Sequence, residues 1–143
     1  MSYNTHLRFK MFRYWQDFAT SLYHNLRVDN IQNGDPTLLE NNMLLIGSID
    51  DTVEEIAMLR YNVDTLLEDN LVIAFEVTVS ATLDYFLDHE IKDSVEFDQS
   101  RLYRWLFAVH DWSMAVFGNK IVNSVLHLDE FAPHIHLSIV PAD

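Results

Sequence analysis

Three of the chain's seven histidines fall within the ten residues from His127 to His136, HLDEFAPHIH, with Asp129 and Glu130 among them. His134 and His136 are separated by one residue. On an extended strand, side chains at i and i+2 leave the same face, so these two imidazoles point together. His127 closes the preceding apolar run, and Pro133 opens the next one. Two strands joined by a short turn would bring three neutral imidazole nitrogens to one divalent transition metal and leave positions open for substrate. A lone strand histidine is usually just solvated. Three histidines with an acid in so short a stretch point to metal binding. The helical H-E-x-x-H signature is absent, and Pro133 argues against a helix here.

The elements that must position these residues come from a chain of 143 residues, the size of one domain with one core. Apolar residues make up 49% and aromatics 13%, ample material for that core. No run approaches a membrane span and no secretory signal is visible, so a cytoplasmic protein with no membrane partner is expected. With no cysteine there is neither a disulfide framework nor a thiolate metal site. The net charge of −13 counts against non-specific nucleic-acid binding. Its distribution is uneven, however. Arg8, Lys10, Arg13 and Arg27 all lie in the first 27 positions, against Asp17 and Asp29 in the first 30.

Alternation predicts a first strand over Thr5–Phe12. Trp15, Phe18, Leu22 and Leu26 are helically spaced within Tyr14–Leu26. Asp29–Asn42 is polar and turn-rich and reads as a loop; Met43–Ile46 is an apolar run of open type. Thr52 and Glu55 have capping-box spacing for a helix to about Leu67. Leu71–Val79 reads as a strand, and Ser80 is positioned to cap a helix over Ala81–Ile91. Asp98 is positioned to cap another over Gln99–Phe117, stopped by Gly118, with its aromatics read as core. Lys120–His127 and Pro133–Val140 are the last strands. Alternation puts Ile121, Asn123, Val125 and His127 on one face. It puts His134, His136, Ser138 and Val140 together, opposite Ile135, Leu137 and Ile139. The fold class is α+β: an antiparallel sheet packed with helices, its histidine face open to a cleft.

The order of these elements, with HLDEFAPHIH followed by LSIVP, resembles the Pre/Mob plasmid recombination and mobilisation proteins, relaxases with the HUH-type nuclease fold. The long match is to the family's H-x-D-E-x-x-P-H-x-H strand pair. HNLR, His24 to Arg27, resembles the family's H-N-x-R. NGDP at Asn33–Pro36, with Asn42 and Gly47 after it, resembles the segment that follows, and Arg8 and Lys10 fit the family's opening strand. Between about Asp50 and Lys120 the match is in layout only.

The resemblance implies a metal-dependent nuclease in a two- or three-layer sandwich. It would cut single-stranded DNA at an origin of transfer and stay attached to the 5′ end. By resemblance the nucleophile is His24, the metal ligands are His127, His134 and His136, the adjacent carboxylate is Glu130, and Arg27 lies near the scissile phosphate. Three imidazoles favour Mn over Mg by ligand type. Tyr23 is a rival nucleophile, but consecutive helix residues point about 100° apart. Asp129, on the other side of the turn, is expected to be solvated. His6, His89 and His110 carry no pattern. The family usually continues well past the histidine strand, so residues 1–143 read as one relaxase-like domain without that extension. Its acidity suggests an accessory protein to bring it to DNA. It also motivates a competing reading: a non-catalytic relaxase-like module that binds a protein partner or mimics DNA. A third reading, a hydrolase of RNA, would be separated by parallel RNA and DNA cleavage.

Overall fold

Alternating side chains build the sheet, and helical apolar stripes cover it. The structure, a computed structural model, describes residues 5–27, 42–48, 55–56, 72–88, 90, 96–129 and 132–141. Within them lie five strands: β1 (Thr5–Phe12), β2 (Met43–Ile46), β3 (Ala74–Ala81), β4 (Ile121–His127) and β5 (His134–Ile139). Three helices accompany them: α1 (Trp15–Asn25), α2 (Leu83–Phe86) and α3 (Gln99–Val116). The strands form one sheet in the order β1-β3-β5-β4-β2, and every pairing is antiparallel. β5, which carries His134 and His136, is thus the central strand, bonded on both edges. A central strand can neither fray nor slip without breaking two ladders.

The two faces of the sheet have different fates. Val77, Val79, Ile135, Leu137 and Ile139 point to one face and pack against Leu102, Trp105, Leu106 and Val109 of α3 and Phe86 of α2. The other face holds a second cluster, in which Phe18 and Leu22 of α1 pack on Phe12, Ala74 and Val140. α1 covers only one end of that face. The rest of it carries the histidines and, among the described residues, is not covered by a helix. The antiparallel α+β architecture agrees with the sequence reading, with helices on both sides of the sheet.

β1 spans the predicted residues, and α1, β4 and β5 fall within a residue of prediction at each end. α3 begins as predicted: the Asp98 side chain accepts from the Arg101 amide at 3.1 Å. It ends beside Gly118, which takes the left-handed conformation (φ 56°) that a side chain disfavours. The open-type run at Met43–Ile46 is a strand, paired to β4.

Other expectations change. β3 runs on to Ala81, so Ser80 is a strand residue and not a cap; the helix after it lasts only from Leu83 to Phe86 before Leu87 bridges to Phe97. A register shift between Ile121 and Asn123 turns Ile121 to the α3 face, away from Asn123, Val125 and His127. Only part of α3's aromatic content is core. Trp105 is buried, whereas Tyr103 and Phe107, one helical turn apart, face outward and stack on each other. The loop expected over Asp29–Asn42 lies outside the described residues but for Asn42, and the helix expected from Thr52 but for Glu55 and Ile56, which are helical.

Candidate metal centre and its groove

The register of three strands sets the site. His134 on β5 lies opposite His127 on β4, and His136 lies opposite Val125. On the other side, His134 faces Ser80 and His136 faces Thr78 of β3. One ligand nitrogen from each of His127, His134 and His136 lies within 4.8 Å of the others. The three rings pack edge to face or tilted, with centroids 4.7 to 5.2 Å apart.

Each ring is held by its other nitrogen. His127 Nε2–H donates to the Asn25 carbonyl at 2.7 Å. His134 Nδ1–H donates to the Ala132 carbonyl at 2.8 Å. His136 Nδ1–H donates to Glu76 Oε1 at 2.8 Å. Those bonds turn the lone pairs of His127 Nδ1, His134 Nε2 and His136 Nε2 toward one another, with Arg27 Nη2 donating to His127 Nδ1. The first two lie 3.3 Å apart, with neither ring carrying a proton on the facing nitrogen in these tautomers. Facing lone pairs repel, and a cation among them removes the repulsion. This donor set fits a divalent transition metal, with each imidazole oriented by an acceptor behind it.

Electrostatics keep the ligands ready. Burial, with the neighbouring His136, Arg27 and His134, pushes the His127 imidazole down to about 3, against the backbone bond to Asn25. It is therefore neutral at physiological pH, the form that ligates. Burial works against ionising Glu76, but its bond to His136 and the bonds from Ser21 and Asn25 prevail and bring it down to about 2. Asn25 Nδ2 donates to Glu76 Oε2 at 2.9 Å, Ser21 Oγ donates to the same oxygen, and Thr78 Oγ1 donates to Oε1 at 3.1 Å.

His24 and Arg27 reach the same place from the C-terminal end of α1. Arg27 Nη1 donates to His24 Nε2 at 3.3 Å, and Arg27 Nη2 donates to His127 Nδ1 at 3.2 Å. One guanidinium thus bridges the helix histidine and the strand triad. Arg27 follows the helix cap Leu26 in the left-handed conformation, φ 60°, where a residue with a side chain is strained. Asp129 offsets that strain with two charge-assisted bonds, to Nε and Nη2 of Arg27, both 2.9 Å. Burial opposes the Asp129 charge, but the bonds from Arg27 and Asn42 hold its carboxyl below the usual range.

Of the residues predicted from sequence, His24, Arg27, His127, His134 and His136 meet in one place; Glu130 lies outside the described residues. Asp129 is not solvated as expected: it is 1% exposed and locked to Arg27. Tyr23 packs against the second core cluster. Glu76 is not singled out by the sequence reading, and Asn25, though part of HNLR, carries no role of its own there. An acid in the middle of the apolar strand AFEVTVSA was the available signal for Glu76. Asn25 acts partly through its backbone carbonyl, which leaves no trace in a sequence.

The site opens on a groove with two lobes. One, of about 780 Å³, is lined by His6, Arg8, Lys10, Thr78, Ser80, His134 and others. The other, of about 650 Å³, runs between β1 and α1 past Arg13, Tyr14 and Asp17. Lys10, His24, Glu76 and His136 line both. Among the described residues no helix is long and apolar enough to cross a membrane.

The family model for a plasmid recombination enzyme, Mob_Pre, matches residues 1–143. The chain belongs to the Mob_Pre family. A "65 kDa protein" of Zymomonas mobilis subsp. mobilis is 30% identical to this Mob_Pre domain over 129 residues, 87% of the chain. The chain spans 20% of that relative's length. Among solved structures, the fold is similar to the MobM relaxase domain (MOBV; Mob_Pre) bound to plasmid pMV158 oriT DNA, in Mn-bound crystal structures. One matches with a TM-score of 0.69 at 19% identity, covering 97% of this chain and 71% of that one. Another matches with a TM-score of 0.70 at 16% identity, covering 97% and 69%. This Mob_Pre domain therefore has the relaxase-domain fold.

Proposed function

We propose that this domain is a metal-dependent, site- and strand-specific DNA nickase, cutting single-stranded DNA at an origin of transfer. His24 acts as its nucleophile. The observation that carries the reading is the Arg27 guanidinium, hydrogen-bonded at once to His24 and to His127 of the triad. That contact supports His24 as the nucleophile, because one side chain touches both it and a ligand of the proposed cation. His127, His134 and His136 would hold a divalent ion, Mn by ligand type and Mg as the alternative, which neutralises phosphate charge when bound. Family membership and the oriT DNA bound by the MobM domain support the substrate class.

A neutral imidazole carries a lone pair on one ring nitrogen, and at His24 the Nε2 lone pair accepts from Arg27 Nη1 at 3.3 Å. Arg27 must release that nitrogen, or the ring must turn, before attack. The N–P bond then forms as the P–O3′ bond breaks. The strand is left with a free 3′ hydroxyl and a 5′ phosphate on His24. Glu130, three residues along from His127, is the carboxylate proposed to take the proton from the other ring nitrogen. Arg27, fixed by Asp129, is proposed to steady the phosphate on the far side.

The test is incubation of a labelled origin-of-transfer single strand with the protein and Mn. The expected product is a nicked strand whose downstream fragment is bound to protein through its 5′ phosphate, and none is expected from His24→Ala. Undiminished adduct from His24→Ala would remove His24 as nucleophile. Metal binding without cleavage of any single strand would favour the non-catalytic module.

A further inference from the structure

The two lobes meet at the proposed reaction centre, and each runs from it to residues the other does not touch. Lys10, His24, Glu76 and His136 form the shared wall. A strand cut at its terminus needs one arm, whereas a strand cut internally needs two. The charges along the arms are unlike those of the whole chain. Among the described residues of the first lobe, Arg8 and Lys10 are the permanently charged side chains facing outward; the acid there, Glu76, is already bonded to His136, Asn25, Ser21 and Thr78. On a protein with a net charge of −13, such a lobe is the place an anion would settle.

Register fixes the geometry. Arg8 pairs with Thr78, which pairs with His136, so Arg8 sits two strands from the triad, roughly 10 Å. Lys10 pairs with Glu76, one step further along. Residues i and i+2 of a strand are separated by about 6.7 Å, close to the step between successive phosphates of an extended single strand. The second lobe offers different chemistry. Tyr14, the residue that precedes α1, lines it with 69% of its surface exposed. An exposed aromatic on a groove wall is a platform for a base.

We infer that the groove holds a single strand on both sides of the scissile phosphate: Arg8 and Lys10 take phosphates in one arm, and Tyr14 stacks a base in the other. The inference rests on the nickase reading for its substrate class. It adds the residues that bind the substrate on either side of the cut.

The test uses the metal-loaded full chain with fluorescein-labelled dT12 and dT6, followed by anisotropy across a salt series. Arg8→Gln and Lys10→Gln should each reduce the salt slope by about 0.7, the share of one phosphate on a single strand. Arg104→Gln, an equal charge change on exposed α3, should leave it unaltered. Tyr14→Ala should weaken dT12 roughly 5- to 100-fold with the slope intact, and Tyr14→Trp should restore it. dT6, too short to fill both arms, should bind more weakly than dT12 and respond to fewer of these substitutions. Melting curves show whether each variant folds. Folded variants with wild-type affinity and slope, or a wild-type protein that ignores dT12, would overturn the inference. The two readings fail separately. Nicking that is indifferent to these residues keeps the nickase and loses the groove. Binding of dT12 through them without nicking does the reverse.

Discussion

Glu76 is the residue on which the centre's precision rests. It lies between the triad and α1, accepting from His136 on one side and from Asn25 and Ser21 on the other. The bond from His136 fixes that ring's tautomer and presents Nε2. Asn25 ties the same carboxylate to the helix whose carbonyl orients His127. Carboxylates behind ligating histidines typically contribute 10- to 100-fold in metal affinity. Glu76→Ala is therefore expected to weaken Mn binding by about that factor in calorimetry. Glu76→Gln keeps an acceptor for His136 Nδ1 and should lose less. Equal Mn affinity in all three proteins would mean that Glu76 only packs.

At the scale of elements, the question is what holds the end of α1 against the β4–β5 connection. The answer is the ion pair of Arg27 and Asp129, side chains 6% and 0% exposed. Breaking a buried pair from one side leaves an uncompensated charge and costs about 3–5 kcal/mol. Asp129→Ala should lower unfolding free energy by that order in urea titration. It should also free the Arg27 guanidinium, so any adduct formation should fall in the fraction that stays folded. A variant pairing Asp129→Asn with Arg27→Gln removes both charges together and is expected to recover part of the stability but not of the adduct. Asp129→Ala with wild-type stability would show that the pair contributes nothing net.

For the whole molecule, the relevant variable is pH. His127 is pushed down from 6.5 to about 3, so between those values the unfolded chain binds a proton that the folded chain refuses. Its contribution is complete above pH 6.5 and fades as pH falls toward 3. Glu76 is brought down from 4.5 to about 2, so its contribution is present above 4.5 and lost toward 2. The metal-free protein should therefore show a urea midpoint that declines from pH 7 to pH 5 and declines more steeply below 4.5. A midpoint flat from pH 7 to pH 4 would contradict the His127 shift, and no steepening between pH 4.5 and pH 2 would contradict that of Glu76. The carboxylate repulsion expected of a chain at −13 acts in the opposite sense, easing as acid neutralises it, so a decline would point to the buried groups.

Local pattern determined a good deal about this protein. Period-two alternation placed β1 and paired His134 with His136, helical spacing placed α1 and α3, and the cap at Asp98 held. Such features depend on neighbours a few residues away, so they can be read along the chain. The histidine trio was legible for the same reason. Only the tertiary structure decided the rest. The strand order put β5 in the middle, the bulge turned Ile121 over, and long-range packing brought Asn25 to His127, Glu76 to Asn25 and Arg27 to Asp129 across 51 to 102 residues of sequence. A carboxylate's role depends on which donors surround it, and donors from distant segments meet only when the sheet closes and buries them together.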